Sequence, residues 1–378
     1  MKTIFIICLL LSFFHKDIKS EDVALNAKSA YLIEYTTGKV IYEKNSEERL
    51  YPASMTKMMS LILVYEALNN NTIQLDQMIT ISSNAASMGG SQIYLEENEQ
   101  MSVSDLLKSV CISSANDAMV ALAETISGSV LEFVNKMNQK STEYNLINTN
   151  FENTTGLHHE NHYSCAKDMA KIAQKLLEVG GDNLLKTTST YDSYIREDSK
   201  QPFWLVNTNK LIKSYDYVDG LKTGFTQEAL SCITVTAYKN NVRLIGVVMK
   251  EPDSKTRNKE IMNLIDMGFS KVKYQNFYNK NDIYADYRFE TGLPHSTKLI
   301  YLENVGTIVN KEENINIINT EFIKTNYHLP LFENDKIGEL IIKFDNQTQI
   351  IVDIGVQENI DKMKFFDYFM MSFWRVLT

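Results

Sequence analysis

Four segments of the chain are typical of β-strands, and the last two of them alternate hydrophobic and polar residues with a period of two. These segments are Ser29 to Glu34, Val40 to Glu43, Ser231 to Tyr238 and Val242 to Lys250. The turn residues Thr36-Thr37-Gly38-Lys39 and Asn240-Asn241 separate the members of each pair. The pattern therefore predicts two antiparallel hairpins.

Hydrophobic residues that recur every three or four positions predict helices between and after these hairpins. The predicted helices run from Tyr51-Pro52-Ala53-Ser54-Met55-Thr56-Lys57 to about Leu68, from Ser104 to Val110, Asp117 to Ser127, Leu131 to Tyr144, Ala166 to Val179, and about Asp253 to Gly268. Pro52 suits the start of a helix, where its missing N–H is not needed. Together these elements predict an α/β fold with an antiparallel sheet flanked by helices.

From about Tyr274 to Asp353 the chain changes to short runs rich in Ile, Val, Tyr and Thr, separated by polar turns. This change predicts a small all-β domain over residues 275–356, following an α/β domain over residues 21–270. The chain has 378 residues, which is long enough for both domains.

Residues 357–378 are predicted to form a C-terminal amphipathic helix. Polar residues, among them Asp361, Lys364 and Asp367, fall on one helical side, and Met, Phe, Trp, Val and Leu residues cover most of the rest. An apolar helix that carries several charges suits a membrane interface better than the interior of a bilayer. The prediction is an anchor on the membrane surface, and the alternative is a helix docked on its own domain.

The first twenty residues are typical of a secretory signal peptide. Lys2 precedes an apolar run of eleven residues, Ile4 to Phe14, and polar residues follow up to Ser20. Such a run is too short for a transmembrane span, which needs about 20 residues. The sequence therefore predicts export to the outer face of the cytoplasmic membrane. The alternative is a buried N-terminal strand or helix.

Charge and cysteine content exclude further classes of function. The net charge is −9 and becomes −11 when residues 1–20 are removed, so the chain is poorly suited to binding nucleic acid. Besides Cys8 in the signal segment, Cys111, Cys165 and Cys232 are odd in number and lack metal-ligand spacing. Neither a disulfide framework nor a metal or cofactor is predicted.

Three short motifs carry the candidate chemistry. In chain order they are Ser54-Met55-Thr56-Lys57, Ser114-Ala115-Asn116 and Lys222-Thr223-Gly224. Ser164–Lys167 and Ser270–Lys273 also match S-x-x-K, but only Ser54 begins a predicted helix and is followed by the other two motifs. This ordered triple is typical of penicillin-binding proteins and class A β-lactamases.

Lys57 lies three residues after Ser54, so the two side chains share a helix face and the amine can take the hydroxyl proton. Burial and nearby positive charge would keep that amine neutral. Ser114 can relay a proton to a leaving nitrogen, and Asn116 can both donate to and accept from a substrate amide.

The third motif has groups that suit a peptide with a free carboxyl terminus. Lys222 supplies a charge and Thr223 a hydroxyl for the terminal carboxylate. Gly224 removes a side chain, so that a peptide can pair along the strand edge.

Over about residues 28–270 the chain resembles the low-molecular-mass penicillin-binding proteins, which are serine-type D-alanyl-D-alanine carboxypeptidases. Further shared segments are Gly90-Ser91 with Leu95, Asn116-Asp117-Ala118 through Leu122-Ala123-Glu124, Phe133 to Asn138, Thr149 to Phe151 with Gly156-Leu157, Tyr163-Ser164 with Asp168-Met169-Ala170, and Val218 to Leu221. The resemblance implies a β-lactamase/DD-peptidase-like fold, removal of the terminal D-Ala from peptidoglycan stem peptides, and acylation by β-lactams.

The resemblance also implies the site residues. They are Ser54 as nucleophile, Lys57 as base, Ser114 and Asn116 as proton relay and substrate clamp, Lys222, Thr223 and Arg257 at the substrate carboxylate, and the N–H groups of Ser54 and Phe225 as oxyanion hole. Two residues depart from the family pattern, which commonly has Gly where Ala115 stands and in some members His where Phe225 stands. Ala115 fits if its φ is negative, and Phe225 is expected to alter substrate preference and not the reaction.

The cluster His158-His159-Glu160-Asn161-His162 lacks the H-E-x-x-H spacing of zinc proteases, and the resemblance places it in a surface loop. Two alternative functions remain on this fold. A β-lactamase would need rapid deacylation, but Glu160-Asn161-His162-Tyr163 does not have the E-x-x-N spacing of class A enzymes. A non-catalytic wall-binding protein would not need the intact motifs.

Overall fold

The computed structural model describes residues 25–197, 199 and 202–367. The signal peptide predicted over residues 1–20 lies outside this part of the chain. Residues 368–378, which make up half of the predicted C-terminal helix, also lie outside it.

The helices of the described part are α1 (Lys57–Asn69), α2 (Ser83–Ala86), α3 (Val103–Ser113), α4 (Asn116–Ser127), α5 (Val130–Glu143), α6 (Ala166–Thr188), α7 (Leu211–Ser214) and α8 (Ser254–Lys271). A 3-10 turn over Ala53–Thr56 leads directly into α1. The predicted helices are therefore present, with α2 and α7 as short additions that carry too few residues to show a period.

The strands of the described part are β1 (Ser29–Glu34), β2 (Val40–Lys44), β3 (Met78–Thr80), β4 (Gln100–Ser102), β5 (Asp192–Ile195), β6 (Phe203–Val206), β7 (Val218–Thr226), β8 (Leu230–Lys239), β9 (Val242–Glu251), β10 (Val272–Tyr278), β11 (Ile283–Arg288), β12 (Gly292–Leu293), β13 (Ser296–Tyr301), β14 (Val305–Asn310), β15 (Ile317–Lys324), β16 (Lys336–Phe344), β17 (Gln349–Val356) and β18 (Asp361–Lys362). Both predicted hairpins, β1–β2 and β8–β9, are formed.

A capping serine and an internal glycine explain where α3 begins and where α6 bends. The Ser102 hydroxyl accepts the Asp105 N–H at the start of α3, which satisfies a backbone donor that the helix itself leaves free. α6 continues beyond its predicted end at Val179 and reaches Thr188. Gly181 adopts φ 49°, which kinks the helix at this point but does not end it.

The central sheet has the strand order β2-β1-β9-β8-β7, with antiparallel pairing throughout, so β7 is an edge strand. Alternate residues of β1 enter different cores. Tyr31 and Ile33 pack in the cluster that includes α1, α3, α4 and α6, whereas Ala30 and Leu32 pack in the cluster that includes α8. The sheet therefore lies between two helical layers, as predicted.

α8 ends at Lys271 and β10 begins at Val272, where the chain enters its β-rich part. The main sheet of this part has the order β11-β13-β17-β16-β15 and packs its own hydrophobic cluster, with Phe289, Ile337 and Phe344 buried in it.

The predicted helix over residues 357–378 is wrong at its start. Leu331 bridges Ile360, and β18 pairs with β12, so residues 360–362 are extended. Ile360 and Met363 are buried against the β-rich part, which accounts for their apolar character without a helix. Among the residues that the structure describes, no helix combines the length and apolarity needed to cross a bilayer.

Close packing between α8 and the sheet depends on a glycine. A Cβ atom at Gly268 would lie 2.7 Å from the Leu244 Cδ1 atom and 2.8 Å from the Leu32 Cδ2 atom. We expect Gly268→Val to lower the free energy of unfolding by about 1–3 kcal/mol, because overpacked cores must shift side chains and backbone. Urea unfolding measures the change. Gly89→Ala is the control, since its Cβ meets nothing within 4 Å, and equal midpoints for both variants would contradict the packing argument.

Candidate active site

The 3-10 turn Ala53–Thr56 holds Ser54 at the beginning of α1, between the helical layer and β7. Pro52 precedes this turn as its N-cap residue, with φ −82°, close to the value that its ring imposes. Ser54 is partly exposed, whereas Ala53, Met55 and Thr56 on either side are buried. The hydroxyl is therefore presented to solvent by a turn whose other side chains are fixed in the core.

Lys57 is the first residue of α1 and is fully buried. Its Nζ atom contacts Ser54 Oγ at 3.0 Å, Asn116 Oδ1 at 2.6 Å and the Thr155 carbonyl oxygen at 2.9 Å. Burial, reinforced by the positive charge of Lys222, holds the pKa of Lys57 well below its ordinary value. The lowered pKa favours the neutral amine, which lies at hydrogen-bond distance from the hydroxyl of Ser54.

Asn116, at the start of α4, is held from both ends of its amide. Its Oδ1 atom accepts from Lys57, and its Nδ2 atom donates to the Gly89 carbonyl at 2.7 Å. A Cβ atom at Gly90 would lie 2.8 Å from this Nδ2 atom, so the segment that carries Gly90 packs directly on the amide. Asn116 therefore orients Lys57. Its predicted role as a proton relay and substrate clamp did not include this contact.

Ser114 caps the end of α3 in the left-handed conformation, with φ 66° and ψ 28°. This geometry turns the chain sharply between α3 and α4. The Ser114 hydroxyl is buried and has no hydrogen-bond partner among the described residues. The following residue, Ala115, has φ −57°, so the departure from glycine at this position causes no backbone strain.

Lys222 and Thr223 lie on the edge strand β7. Lys222 is buried, its Nζ atom donates to the Thr223 carbonyl at 3.0 Å, and burial lowers its pKa to about 7. The nearby Cys111 thiol partly offsets this shift, and Arg257 adds to it. Thr223 Oγ1 donates to Thr208 Oγ1 at 2.8 Å, so a residue outside the three motifs orients this hydroxyl.

Gly224 is needed for a reason that the sequence did not show. A Cβ atom there would lie 2.7 Å from the Pro52 carbonyl oxygen and 3.2 Å from the Ala53 Cβ atom. The glycine therefore allows β7 to approach the turn that carries Ser54. The next residue, Phe225, points its side chain into solvent and is 64% exposed.

Arg257 on α8 is buried, and its Nη1 atom donates to the Cys232 carbonyl at 3.4 Å. Its Nε and Nη2 atoms donate to Asn258 Oδ1. Arg257 is near enough to lower the pKa of Lys222. No hydrogen bond within the described part of the chain joins Arg257 to Lys222 or Thr223, so its role at a carboxylate stays a prediction.

Sequence reasoning missed several residues that support the site. Besides Thr155 and Thr208, the buried Asp117 carboxylate accepts the Ile93 N–H at 3.0 Å and the Leu95 N–H at 3.1 Å. Burial raises the pKa of Asp117, and its charge opposes the lowering of the Lys57 pKa. Asp117 was visible as part of the shared Asn116-Asp117 segment, whereas Thr155 acts through its backbone carbonyl, which side-chain patterns do not reveal.

The histidine cluster does not form one surface loop site. His158 stacks edge-on against Tyr51, with ring centroids 4.7 Å apart, and its Nδ1 atom lies 3.8 Å from the Glu228 carboxylate. His162 is instead buried under the nucleophile turn, where its Nε2 atom contacts Thr56 Oγ1. The expectation of a surface position is therefore wrong for His162.

The comparison with known protein families identifies the family of this chain. The family described as D-alanyl-D-alanine carboxypeptidase (Peptidase_S11) matches residues 16–253. The D-alanyl-D-alanine carboxypeptidase DacF of Bacillus subtilis is 43% identical over 351 residues, which cover 93% of this chain and 90% of that protein. DacC of Escherichia coli is 28% identical over 93% of this chain and 90% of its own length.

Solved structures agree with this assignment. Penicillin binding protein 5 from Haemophilus influenzae superposes with a TM-score of 0.66 at 31% identity, covering 89% of this chain and 98% of that one. Penicillin-binding protein D2 from Listeria monocytogenes in its ampicillin-bound form gives a TM-score of 0.59 at 28% identity, covering 66% of this chain and 99% of that one.

The chain thus belongs to the D-alanyl-D-alanine carboxypeptidase family of serine peptidases. The predicted family, the α/β fold class and the enzyme class are confirmed. The predicted function, carboxypeptidase activity with β-lactam binding, fits the family and its structural neighbours, and the chain is a cell-wall enzyme.

The charge of Lys222 is expected to set the acidic limb of acylation. We expect Lys222→Met to move that limb to higher pH, because Lys57 is protonated more readily when no positive neighbour lowers its pKa. Lys222→Arg keeps a charge and should leave the limb closer to that of the unsubstituted protein. Intact mass after reaction with a penicillin at several pH values gives the profile. A limb at the same pH in all three proteins would contradict the electrostatic coupling.

Proposed function

We propose that Ser54 is the nucleophile with which this enzyme removes the terminal D-Ala of peptidoglycan stem peptides. The single observation that carries the proposal is the 3.0 Å contact between Ser54 Oγ and the buried Nζ atom of Lys57. A serine hydroxyl becomes a strong nucleophile only when a neighbouring base accepts its proton. Lys57 is such a base because burial lowers its pKa.

In the acylation step, Ser54 Oγ attacks the carbonyl carbon of the penultimate D-Ala and its proton passes to Lys57 Nζ. The oxyanion that forms is stabilised by the backbone N–H groups of Ser54 and Phe225. The C–N bond then breaks, and the leaving D-Ala nitrogen takes a proton that Ser114 relays from Lys57. The Ser114 hydroxyl has no hydrogen-bond partner among the residues that the structure describes, which supports this relay.

The acyl-enzyme is an ester of Ser54. Water attacks its carbonyl carbon, the ester bond breaks, and the shortened peptide leaves as a carboxylate while the Ser54 hydroxyl is restored. Lys57 again acts as the base and accepts a proton from the attacking water. A β-lactam follows the same first step, with its ring amide replacing the peptide bond, so that the leaving nitrogen stays attached to the acyl group.

The substrate carboxylate is assigned to Lys222, Thr223 and Arg257. Lys222 and Arg257 supply positive charge from buried positions, and Thr208 holds the Thr223 hydroxyl in place. Asn116 can contact the substrate amide with the second hydrogen of its Nδ2 atom. Gly224 permits the close approach of β7, whose free edge suits a peptide in an extended conformation.

Export and tethering are the remaining parts of the proposal. Residues 1–20 direct the chain out of the cytoplasm, and the apolar tail after Asp367 holds it on the outer face of the cytoplasmic membrane. The exposed Phe365 and Phe366 at the end of the described chain support an apolar interaction there.

The proposed nucleophile predicts a specific adduct. The mature chain, residues 21–378, should gain one penicillin mass at Ser54 and release D-Ala from a stem peptide. Ser54→Ala should lose both reactions, and Lys57→Ala should slow acylation by about 10²–10⁴-fold, the usual contribution of a general base. Rapid loss of the adduct with drug turnover would instead indicate a β-lactamase. Full D-Ala release by Ser54→Ala would contradict the mechanism.

The proposed tether predicts co-sedimentation with vesicles that contain zwitterionic and anionic lipids. The mature chain should pellet with them, and a chain that ends at residue 367 should remain in the supernatant with unchanged D-Ala release. D-Ala release by both chains in solution, without vesicles, is the control for folding. Equal sedimentation of both chains would show that the tail is not the anchor.

A further inference from the structure

His162 lies in the core of the catalytic domain, directly below the turn that carries the nucleophile. Only 2% of its surface is exposed. Its ring also packs edge-on against Phe151, with centroids 5.7 Å apart. A buried imidazole needs partners for both ring nitrogens, and the structure provides two.

The two partners fix the tautomer of His162. Its Nδ1 atom lies 3.1 Å from the backbone nitrogen of Glu152 and must accept that N–H. The proton of a neutral imidazole is then on Nε2, which donates to Thr56 Oγ1 at 2.7 Å. Protonation of the ring would place a hydrogen on Nδ1, which would then face the Glu152 N–H, a second donor, with no acceptor between them. Burial, with smaller effects of His159 and His158, correspondingly lowers the pKa of His162 to about 4.

The two bonds connect the nucleophile motif to the loop of residues 151–157. This loop reaches α1 through two carbonyl groups: that of Thr154 accepts from Ser60 Oγ at 2.7 Å, and that of Thr155 accepts from Lys57 Nζ at 2.9 Å. The bridge through His162 is a further attachment, and it joins the start of the loop to Thr56, the residue next to Lys57.

The loop is too tightly built to absorb a displacement at Glu152. Asn153 Oδ1 accepts the N–H groups of Thr155 and Gly156, which ties the three residues together. Gly156 has φ +84°, and a Cβ atom there would overlap the Ala53 carbonyl. A shift at Glu152 therefore passes to the Thr155 carbonyl, the oxygen that Lys57 contacts.

We propose that His162 is a positioning residue for acylation: through Thr56 and the Glu152 N–H, it places the Thr155 carbonyl that orients the amine of Lys57. This inference rests on the proposed role of Lys57 as the base. His162 contacts neither the substrate carboxylate site nor Ser54 in the described hydrogen bonds. Its loss should therefore slow bond formation and leave substrate binding intact.

Two substitutions separate the two bonds of the ring. The amide of Asn reaches about as far as Nδ1, so His162→Asn can keep the acceptor for the Glu152 N–H and lose the bond to Thr56. The longer Gln can place a donor near Nε2, so His162→Gln keeps the bond to Thr56 and loses the other. We expect His162→Ala to slow penicillin acylation by about 10²-fold, since small misplacements of reacting groups have effects of this size. Asn and Gln should each restore part of the rate.

Thr56→Val removes the partner hydroxyl while keeping the shape of the side chain. This substitution should slow acylation as much as His162→Asn does. The double variant with Thr56→Val and His162→Asn should be no slower than either single variant, because all three lack the hydrogen bond between residues 56 and 162. His159→Asn is the matched control in the exposed segment just before His162 and should acylate at the normal rate.

Binding of a D-Ala-D-Ala peptide is measured separately in a Ser54→Ala background, where no acyl-enzyme forms. The dissociation constant should change by less than about twofold on adding His162→Ala, and thermal unfolding identifies any variant that fails to fold. Normal acylation by folded His162→Ala, strictly additive losses in the double variant, or equal losses of binding and acylation would each overturn the inference. If the unsubstituted protein itself formed no adduct at Ser54, the proposed base would fall together with its positioning residue.

Discussion

The Nζ atom of Lys57 is fully enclosed by protein and contacts three oxygen atoms from separate parts of the chain: the Ser54 hydroxyl, the Asn116 amide and the Thr155 carbonyl. An amine in such surroundings loses much of the hydration that favours its charged form. The same enclosure makes it a base and fixes its distance to the serine. The turn, the start of α4 and the loop of residues 151–157 must therefore all be in place before the site has its chemistry.

The fold provides this enclosure through its central layer arrangement. α1 is buried along most of its length between the sheet and the other helices, so its first residue begins inside the core. The edge strand β7 then approaches the nucleophile turn, and Gly224 allows that approach. A second buried lysine, Lys222, enters from this strand, and its charge favours the neutral form of Lys57. Two buried lysines near each other oppose folding stability, which is a common feature of active sites.

The motif residues were predictable from the sequence because their types and order are specific, and the structure brings Ser54 and Asn116 into contact with Lys57. The hairpins and longer helices were predictable from periodicity. Contacts that use the backbone, such as the Thr155 carbonyl, leave no side-chain signal. The left-handed conformation of Ser114 and the steric need for Gly224 depend on distant parts of the chain, which local patterns do not describe.

The start of the C-terminal helix and the position of His162 were predicted wrongly, because local patterns do not describe tertiary packing. Apolar residues at positions 360 and 363 suggested the start of a helix, but burial of an extended segment on the β-rich part produces apolar residues as well. The family resemblance placed the histidine cluster in a surface loop, yet two hydrogen bonds satisfy the ring of His162 in a buried position.

The most direct test of this account is the protonation state of Lys57. Lysines labelled with ¹³C at Cε are titrated by NMR in the folded mature chain, and Lys57→Arg identifies the signal. The account predicts a signal that titrates well below the others and is largely in the neutral form at the pH at which the enzyme acylates. A Lys57 signal that titrates together with the exposed lysines would contradict it, because a charged amine cannot accept the Ser54 proton.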